Sequence, residues 1–387
     1  MNRKLISIVL FSVLLTMVVQ ISKADVITVT TTQDNVAGSL RAAITTANTN
    51  NKDNTIILPT GVYTLSGAAD EDDNTSGDLD IETTHKLTIT GAGSSQTFID
   101  GNRIDRVLHI LNGTVTITDL TIRKGKAPAV GGTFPRISGG GILNSKTLTL
   151  TRCVIKENEA ADGSGYHYNS EPGGHGGGIF NEGTLVINQC TITYNRAGNG
   201  ALTAGEYDGG PGGHGGGIYN ASSLNMNDSI ISYNRAGNGG KDYSIDGDEG
   251  YGGDGGGVFN DYDVNLTMTR CTVNDNISST GYPPSGRGGG ICNRGDIKMT
   301  LCTVSGNQTG TGSDGGDGGG LFTSGNAQLI GVTVADNTAG GSTCVLDLHG
   351  GGICDEGSIT LKNTIVAGNR VTLHGYGPDC YGALNWV

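Results

Sequence analysis

From residue 138 onward, apolar and polar positions alternate in short runs, as in "TLTLTRCVIKEN" (147–158) and "TLVINQCTITYN" (184–195). Period-two alternation over runs this short, bounded by Gly and Asn, predicts strands with one buried face rather than helices. The runs belong to a repeat that opens with three glycines, continues with Ile/Val/Leu-x-Asn and closes on Asn. The glycine runs start at Gly139, Gly176, Gly215, Gly255, Gly288, Gly318 and Gly350. The closing residues are Asn158, Asn195, Asn234, Asn276, Asn307, Asn337 and Asn369.

In six copies the closing Asn follows the first apolar residue after the glycines by 16 positions; the fourth copy, Val258 to Asn276, carries two more. The remaining length variation falls between the closing Asn and the next glycine run. Each repeat is therefore a fixed frame with one free loop. Apolar pairs recur ten and eight residues before the closing Asn (Leu148/Leu150, Leu185/Ile187, Leu224/Met226 and their successors), and Ile or Val recurs three before it. Five before it stands a column of mostly small residues that includes Cys153, Cys190, Ser229, Cys271 and Cys302. One residue type returning once per repeat predicts coils stacked at the ~4.8 Å strand spacing, none able to bury its apolar face alone. The expected fold is all-β, a right-handed parallel β-helix. The closing Asn amides bond from coil to coil, and the glycines serve left-handed or closely packed backbone.

The start of the chain reads differently. "GSLRAAITTAN" (38–48) places Leu40, Ala43, Ile44 and Ala47 on one helical face behind Ser39 as N-cap. A short helix there would cover the open end of the solenoid. "NTIILP", "KLTIT" and "TVTIT" read as strands of irregular first coils. The expected division is a signal peptide at 1–24, a cap with irregular coils at 25–137 and repeat coils at 138–387, the last two forming one solenoid.

Composition narrows the function classes. The chain has 68 Gly in 387 residues without a G-X-Y period, which excludes collagen, and only 8 Pro, which argues against a Pro-rich linker. A net charge of −13 with no basic stripe argues against a nucleic-acid binder. Arg3 and Lys4, an apolar stretch from Leu5 to Val19, and Ser22-Lys23-Ala24 make a secretory signal with cleavage after Ala24. No later segment reaches the ~18–20 apolar residues of a membrane helix. An exported chain with eight Cys invites disulfides. The columnar thiols, parallel and in register, suit interior packing better than the disulfide torsion. Cys344 and Cys380, in successive outer loops, are the disulfide candidate.

"GSLRAAITTAN", "GDLDI", "LTITGAGSSQTFIDGN" and "TVTITDLTIRKGKA" resemble exported bacterial β-helix proteins that begin with a C-S-L-R-E-A-I-type cap. The GGGIxN units resemble the G-G-x-I and F-x-x-N signatures of chlamydial-type polymorphic outer-membrane repeats. Gly38 and Ala42 replace the Cys and Glu of that cap. Relatives usually continue past "GPDCYGALNWV" into further coils and an anchoring region, so surface attachment is not carried over. The resemblance implies the fold and export to the extracellular space, the bacterial cell surface or the outer membrane. The same architecture carries adhesins, surface proteins and polysaccharide-cleaving enzymes, so it does not choose among them.

Candidate chemistry lies in the free loops, which all leave the same turn and predict one stacked rim. Six loop tyrosines, Tyr166, Tyr168, Tyr207, Tyr243, Tyr251 and Tyr282, stand beside several acids. Rings that stack and hydroxyls that find acceptors suit a glycan; equally, such loops can simply be solvated. Glu206/Asp208 and Asp246/Asp248/Glu249, on neighbouring loops, offer the carboxylate pairs a glycoside hydrolase needs. Arg287, between two Asp, offers the base of a polysaccharide lyase. The residue before each glycine run forms a column: Ser138, His175, His214, Asp254, Arg287, Asp317, His349. In it His175, His214 and Asp254 are metal-ligand candidates, the alternative being a tolerant polar turn. "DGDEGYGGD" (246–254) offers oxygens to a divalent cation such as calcium. "GTGSDG" precedes more glycines and no helix, which excludes a nucleotide loop. Tyr194 and Tyr233, in "TYNRAGNG" and "SYNRAGNG", are expected to stack. The leading function is glycan or partner binding, with a polysaccharide lyase or hydrolase as the enzymatic alternative and a purely structural solenoid as the third.

Overall fold

The computed structural model describes residues 24–69, 73–129, 136–164, 170–202, 208–241, 248–279, 285–310, 315–340, 348–372 and 375–387. One coil shows the architecture. After Gly176–Gly178 the chain makes a three-residue strand, Ile179–Asn181, then a five-residue strand, Thr184–Asn188, then another of three, Thr191–Thr193, and closes at Asn195. The same succession in each coil builds a glycine-side sheet of 10 strands, a central sheet of 12 and an asparagine-side sheet of 10, with parallel pairing. The result is a right-handed parallel β-helix, the expected fold.

Register follows the apolar columns. Leu148 pairs with Leu185, Leu185 with Leu224 and Leu224 with Leu266 on the central sheet. Ile155, Ile192, Ile231 and Val273 do the same on the asparagine-side sheet. All eight lie in one continuous core. Burying each such side chain stabilises by about 1.5–3 kcal/mol, and a one-residue slip would expose the whole column. The two extra residues of the fourth copy are absorbed in the turn between Val258–Asn260 and Asn265–Thr269, where Asp263 takes a left-handed φ of 57°. The strands on either side keep register.

The closing Asn column is a buried amide ladder. Nδ2 of Asn195 donates to Oδ1 of Asn234 (2.9 Å) and to the Ile155 carbonyl (3.0 Å), and its Oδ1 accepts Nδ2 and the main-chain N–H of Asn158 (3.0 and 3.1 Å). The last rung, Asn369, donates to Asp379 Oδ1 at 3.0 Å. A second amide ladder, absent from the sequence-based expectations, runs through Asn144, Asn181, Asn220, Asn260 and Asn293 with Nδ2–Oδ1 distances of 2.7–2.8 Å.

Each glycine of a triplet has its own reason. Gly176 has φ +60°, a Cβ on Gly177 would lie 2.3 Å from the main chain of Arg196, and one on Gly178 would lie 2.6 Å from the carbonyl of Gly217 in the next coil.

The cap helix spans Leu40–Thr49, with Ser39 Oγ accepting the N–H of Ala42 at 3.2 Å. It buries Leu40, Ala43, Ile44 and Ala47 as the pattern predicts, and also Arg41, which ion-pairs with Asp34 at 3.0 Å. Among the described residues no helix is long and apolar enough to cross a membrane. Cys153, Cys190, Cys271 and Cys302 are free, buried thiols. Cys190 Sγ accepts the Cys153 N–H at 3.3 Å, as Ser229 Oγ accepts that of Cys190 at 3.1 Å. The expected Cys344–Cys380 disulfide is not formed: Cys380 is a free thiol, half-buried in a strand opposite Ile353, and Cys344 lies outside the described residues.

Candidate functional site

The loops rise on a glycine lamina. Just past the closing Asn, the stems bridge in parallel from Glu159 through Arg196, Arg235 and Ile277 to Gln308. Beyond that, outgoing and returning arms interleave. The N–H of Gly198 donates to Gly174 and that of Gly213 to Gly198, both at 2.8 Å, and Gly237 and Gly253 continue the series. A Cβ on Gly198 would lie 1.7 Å from the carbonyl oxygen of Ala161. Gly198, Gly213, Gly237 and Gly253 are therefore glycines because backbone packs on backbone. The loops leave the solenoid from a layered stem, not from a solvated coil.

The middle residue of each glycine-side strand points away from the core, yet Leu143, Phe180, Tyr219, Phe259, Cys292, Phe322 and Cys354 are buried in a second apolar ladder. Three of the residues that precede the glycine runs cover it. The His175 ring stacks on Tyr219 at 4.6 Å, that of His214 on Phe259 at 4.7 Å, and the Arg287 guanidinium lies 4.8 Å over Phe322. Most members of this column also accept the main-chain N–H of the next. Ser138 Oγ accepts from His175 (3.0 Å), His175 Nδ1 from His214 (2.9 Å), His214 Nδ1 from Asp254 (2.8 Å) and Asp254 Oδ1 from Arg287 (2.7 Å). After Arg287, which has no acceptor, Asp317 Oδ1 resumes with the N–H of His349 at 2.9 Å.

An imidazole that accepts at Nδ1 is neutral, with its proton on Nε2. Burial pushes the pKa of His175 well down, helped by the neighbouring His214. Burial also lowers that of His214, against the pull of Asp254. The metal expectation for His175, His214 and Asp254 is not what this geometry builds. The two rings lie face to face at 5.0 Å, their Nδ1 atoms hold backbone hydrogens, and Asp254 Oδ2 pairs with Arg294 at 2.7 Å.

Two adjoining clefts open on the rim. One, of about 350 Å³, is lined by His214, Tyr251, Asp254, Ser285, Arg287 and Arg294. The other, of about 360 Å³, is lined by Ser170, Asp208, Asp248, Glu249 and Tyr251. Pro211 and Tyr251 belong to both, and Tyr251 is 61% exposed. Asp208 Oδ1 accepts the N–H of Asp248 at 3.1 Å, which joins the two loops. Arg294 is held between Phe259 (5.0 Å) and Tyr262 (5.3 Å). Burial opposes its charge, but Asp254 lifts its pKa above the usual range. Tyr219 donates to Asp261 Oδ2 at 2.6 Å, and burial followed by that bond raises its phenol pKa. Arg287 lies 3.8 Å from Asp317 and 3.6 Å from Glu356. Burial raises the carboxyl pKa of Asp317 against the His349 amide and Arg287.

The structure thus brings Asp208, Asp248, Glu249 and Tyr251 together, and separately His214, Asp254 and Arg287. Tyr166, Tyr168, Glu206, Tyr207, Tyr243, Asp246 and Tyr282 lie outside the described residues. Tyr194 and Tyr233 stack at 5.1 Å, as expected. Sequence reasoning missed Arg294, Asp261, Tyr262 and Glu356. A signal was present: the position between the apolar residue and the Asn of GGGIxN is aromatic in four copies, as Phe180, Tyr219, Phe259 and Phe322. An aromatic on the solvent side of a strand asks what covers it.

No family model matches the chain, and no curated protein matches it. Among solved structures it is similar to ORF18 of Geobacillus virus E2, at 11% identity and a TM-score of 0.37, covering 94% of this chain and 62% of that one. It is also similar to the catalytic domain of a GH87 alpha-1,3-glucanase in complex with nigerose, at 11% identity and a TM-score of 0.30, covering 94% and 68%. The chain thus spans about three fifths of the first of these.

Proposed function

We propose that the protein is exported and binds a polysaccharide, or a glycan-bearing cell-surface partner, along the rim without cleaving it. One observation carries the reading: an exposed Tyr251 ring forms the shared wall of two adjoining polar clefts, one acidic and one bearing Arg287 and Arg294. A flat ring flanked by charged hydrogen-bonding groups suits a sugar chain, whose faces stack and whose hydroxyls both donate and accept. The layered glycine stems support it, because a preformed site loses less entropy on binding.

The test is calorimetric titration with neutral and acidic oligosaccharides, on wild type and Tyr251→Ala. Saturable binding that weakens at least about 10-fold in the variant is the expected result. Absence of binding across the panel, or an unchanged affinity in Tyr251→Ala, would remove the site.

A second reading, polysaccharide cleavage, is favoured by Arg287 lying between Asp317 and Glu356, with the Asp317 pKa raised by burial. It is separated from the first by incubating the protein with the same polysaccharides. New reducing ends or unsaturated products, lost in Arg287→Ala and Asp317→Asn, would replace binding with catalysis.

A further inference from the structure

The outward ladder of the glycine-side sheet is apolar from Leu143 onward. Its first two rungs are Asp80 and His109, register partners in the strands Leu79–Ile81 and Leu108–Ile110. Both are buried, as is Asp78 beside them. One ligand atom from each of Asp78, Asp80 and His109 lies within 4.8 Å of the other two. Asp80 is fully shielded from solvent. Its Oδ2 accepts the N–H of Asn74 at 3.1 Å, but its Oδ1, 3.6 Å from His109 Nδ1, has no hydrogen-bond partner. A buried carboxylate oxygen without a donor is costly and calls for a cation. Among the described residues, Arg106 reaches Asp78 at 2.9 Å and Asp105 at 4.0 Å, and forms no salt bridge with Asp80.

We propose that Asp78, Asp80 and His109 hold one first-row divalent transition ion of the zinc or manganese class. Imidazole and carboxylate ligands at ~2.0–2.2 Å from such an ion stand about 3.3 Å apart, so the 3.6 Å between Asp80 Oδ1 and His109 Nδ1 needs little adjustment. Calcium, which takes six to eight oxygens, is the poorer fit to a set with an imidazole. The ion's role is structural. Main-chain carbonyls of Asp78 and Asp80 accept from Arg41 and Asn48 of the cap helix, and Asn74 Nδ2 donates to Thr45 Oγ1 at 2.9 Å. An ion bridging Asp80 to His109 would therefore lock the cap helix and its neighbouring loop onto the next coil. This site is independent of the rim.

The experiment uses the whole purified protein, stripped with EDTA and titrated with Co²⁺ and Zn²⁺. One ion per chain, visible Co²⁺ absorption and a higher Tm with Zn²⁺ than with EDTA are expected. Asp80→Asn should lose at least about 10-fold in affinity. Asp228→Asn, which lies in an exposed pair with Arg270, should lose none. Calcium in excess should not displace Co²⁺; if it does, the transition-metal assignment fails. If wild type takes up no stoichiometric ion and melts identically in EDTA and Zn²⁺, the pair is only a histidine–carboxylate contact and the proposal is overturned. Asp80→Asn binding as tightly as wild type overturns it equally.

Discussion

Each free loop is framed by two polar columns. At its start stands the closing Asn ladder; at its end stands the column of Ser138, His175, His214, Asp254, Arg287, Asp317 and His349. Both bond one coil to the next, but they tolerate different chemistry. A closing Asn makes four bonds at once, two donated by Nδ2 and two accepted by Oδ1, inside the core. An amide is the side chain that donates and accepts in this way without charge. In the pre-glycine column the coil-to-coil bond needs just one acceptor aimed at the next N–H, which Ser, His and Asp all supply and Arg287 does without. Variation there is permitted by geometry and is weak evidence of a metal.

The largest test of this contrast is Asn234→Ala. It deprives the N–H and Nδ2 of Asn195, the Oδ1 of Asn276 and the Ile192 carbonyl of a buried partner. Nδ2 of Asn195 keeps the Ile155 carbonyl and Oδ1 of Asn276 keeps the main-chain N–H of residue 234. At about 0.5–1.5 kcal/mol for each bond lost and about 1–3 kcal/mol for the Asn195 N–H left bare, the loss should reach about 3 kcal/mol or more in urea unfolding, with faster amide exchange in the flanking coils. A cost below about 1 kcal/mol would mean that the Asn ladder is no more demanding than the column opposite.

The second test divides the pre-glycine column into its two jobs. His214→Ala removes both the acceptor for Asp254 N–H and the cover over Phe259, and should cost about 2–3 kcal/mol. His214→Asn keeps an acceptor of similar reach and should cost about half as much. Equal costs for the two variants would show that the ring stack dominates and the acceptor matters little.

These cases show where the sequence was legible. Strands, register, the Asn ladder and the cap helix all follow from residue types that recur with a fixed offset, because stacking makes each position meet its own kind. Ser39, Leu40 and Ile44 sit where the helical spacing puts them for the same local reason. The site was legible only in part. Asp208, Asp248 and Tyr251 meet because their loops stack, which the shared stem implied. Arg294 was missed because it belongs to the turn after a strand, and its partner Asp254 lies 40 residues back. The acceptor role of His175 was not read from the sequence, although the recurrence of Ser, His and Asp in its column is what one acceptor per coil requires.

The smallest effect in this series, and the one most particular to the pre-glycine column, is its response to acid. His175 and His214 accept at Nδ1 and are held neutral, with pKa values below the ordinary ~6.5. In the unfolded chain they regain that ordinary value, so below about pH 6.5 the unfolded state binds more protons than the folded one. Their contribution to stability is therefore fully present above about pH 6.5 and lost as pH falls from there toward the depressed folded values. The Asn ladder does not titrate and should not respond. Comparing Tm at pH 7.5 and pH 5 in wild type and in His175→Asn/His214→Asn isolates the difference, since the double variant keeps both acceptors and loses both titrations. The expected result is a shallower fall in the variant. Equal slopes would mean that protonation leaves the stacked column intact, and that its acceptors matter less than the rings that carry them.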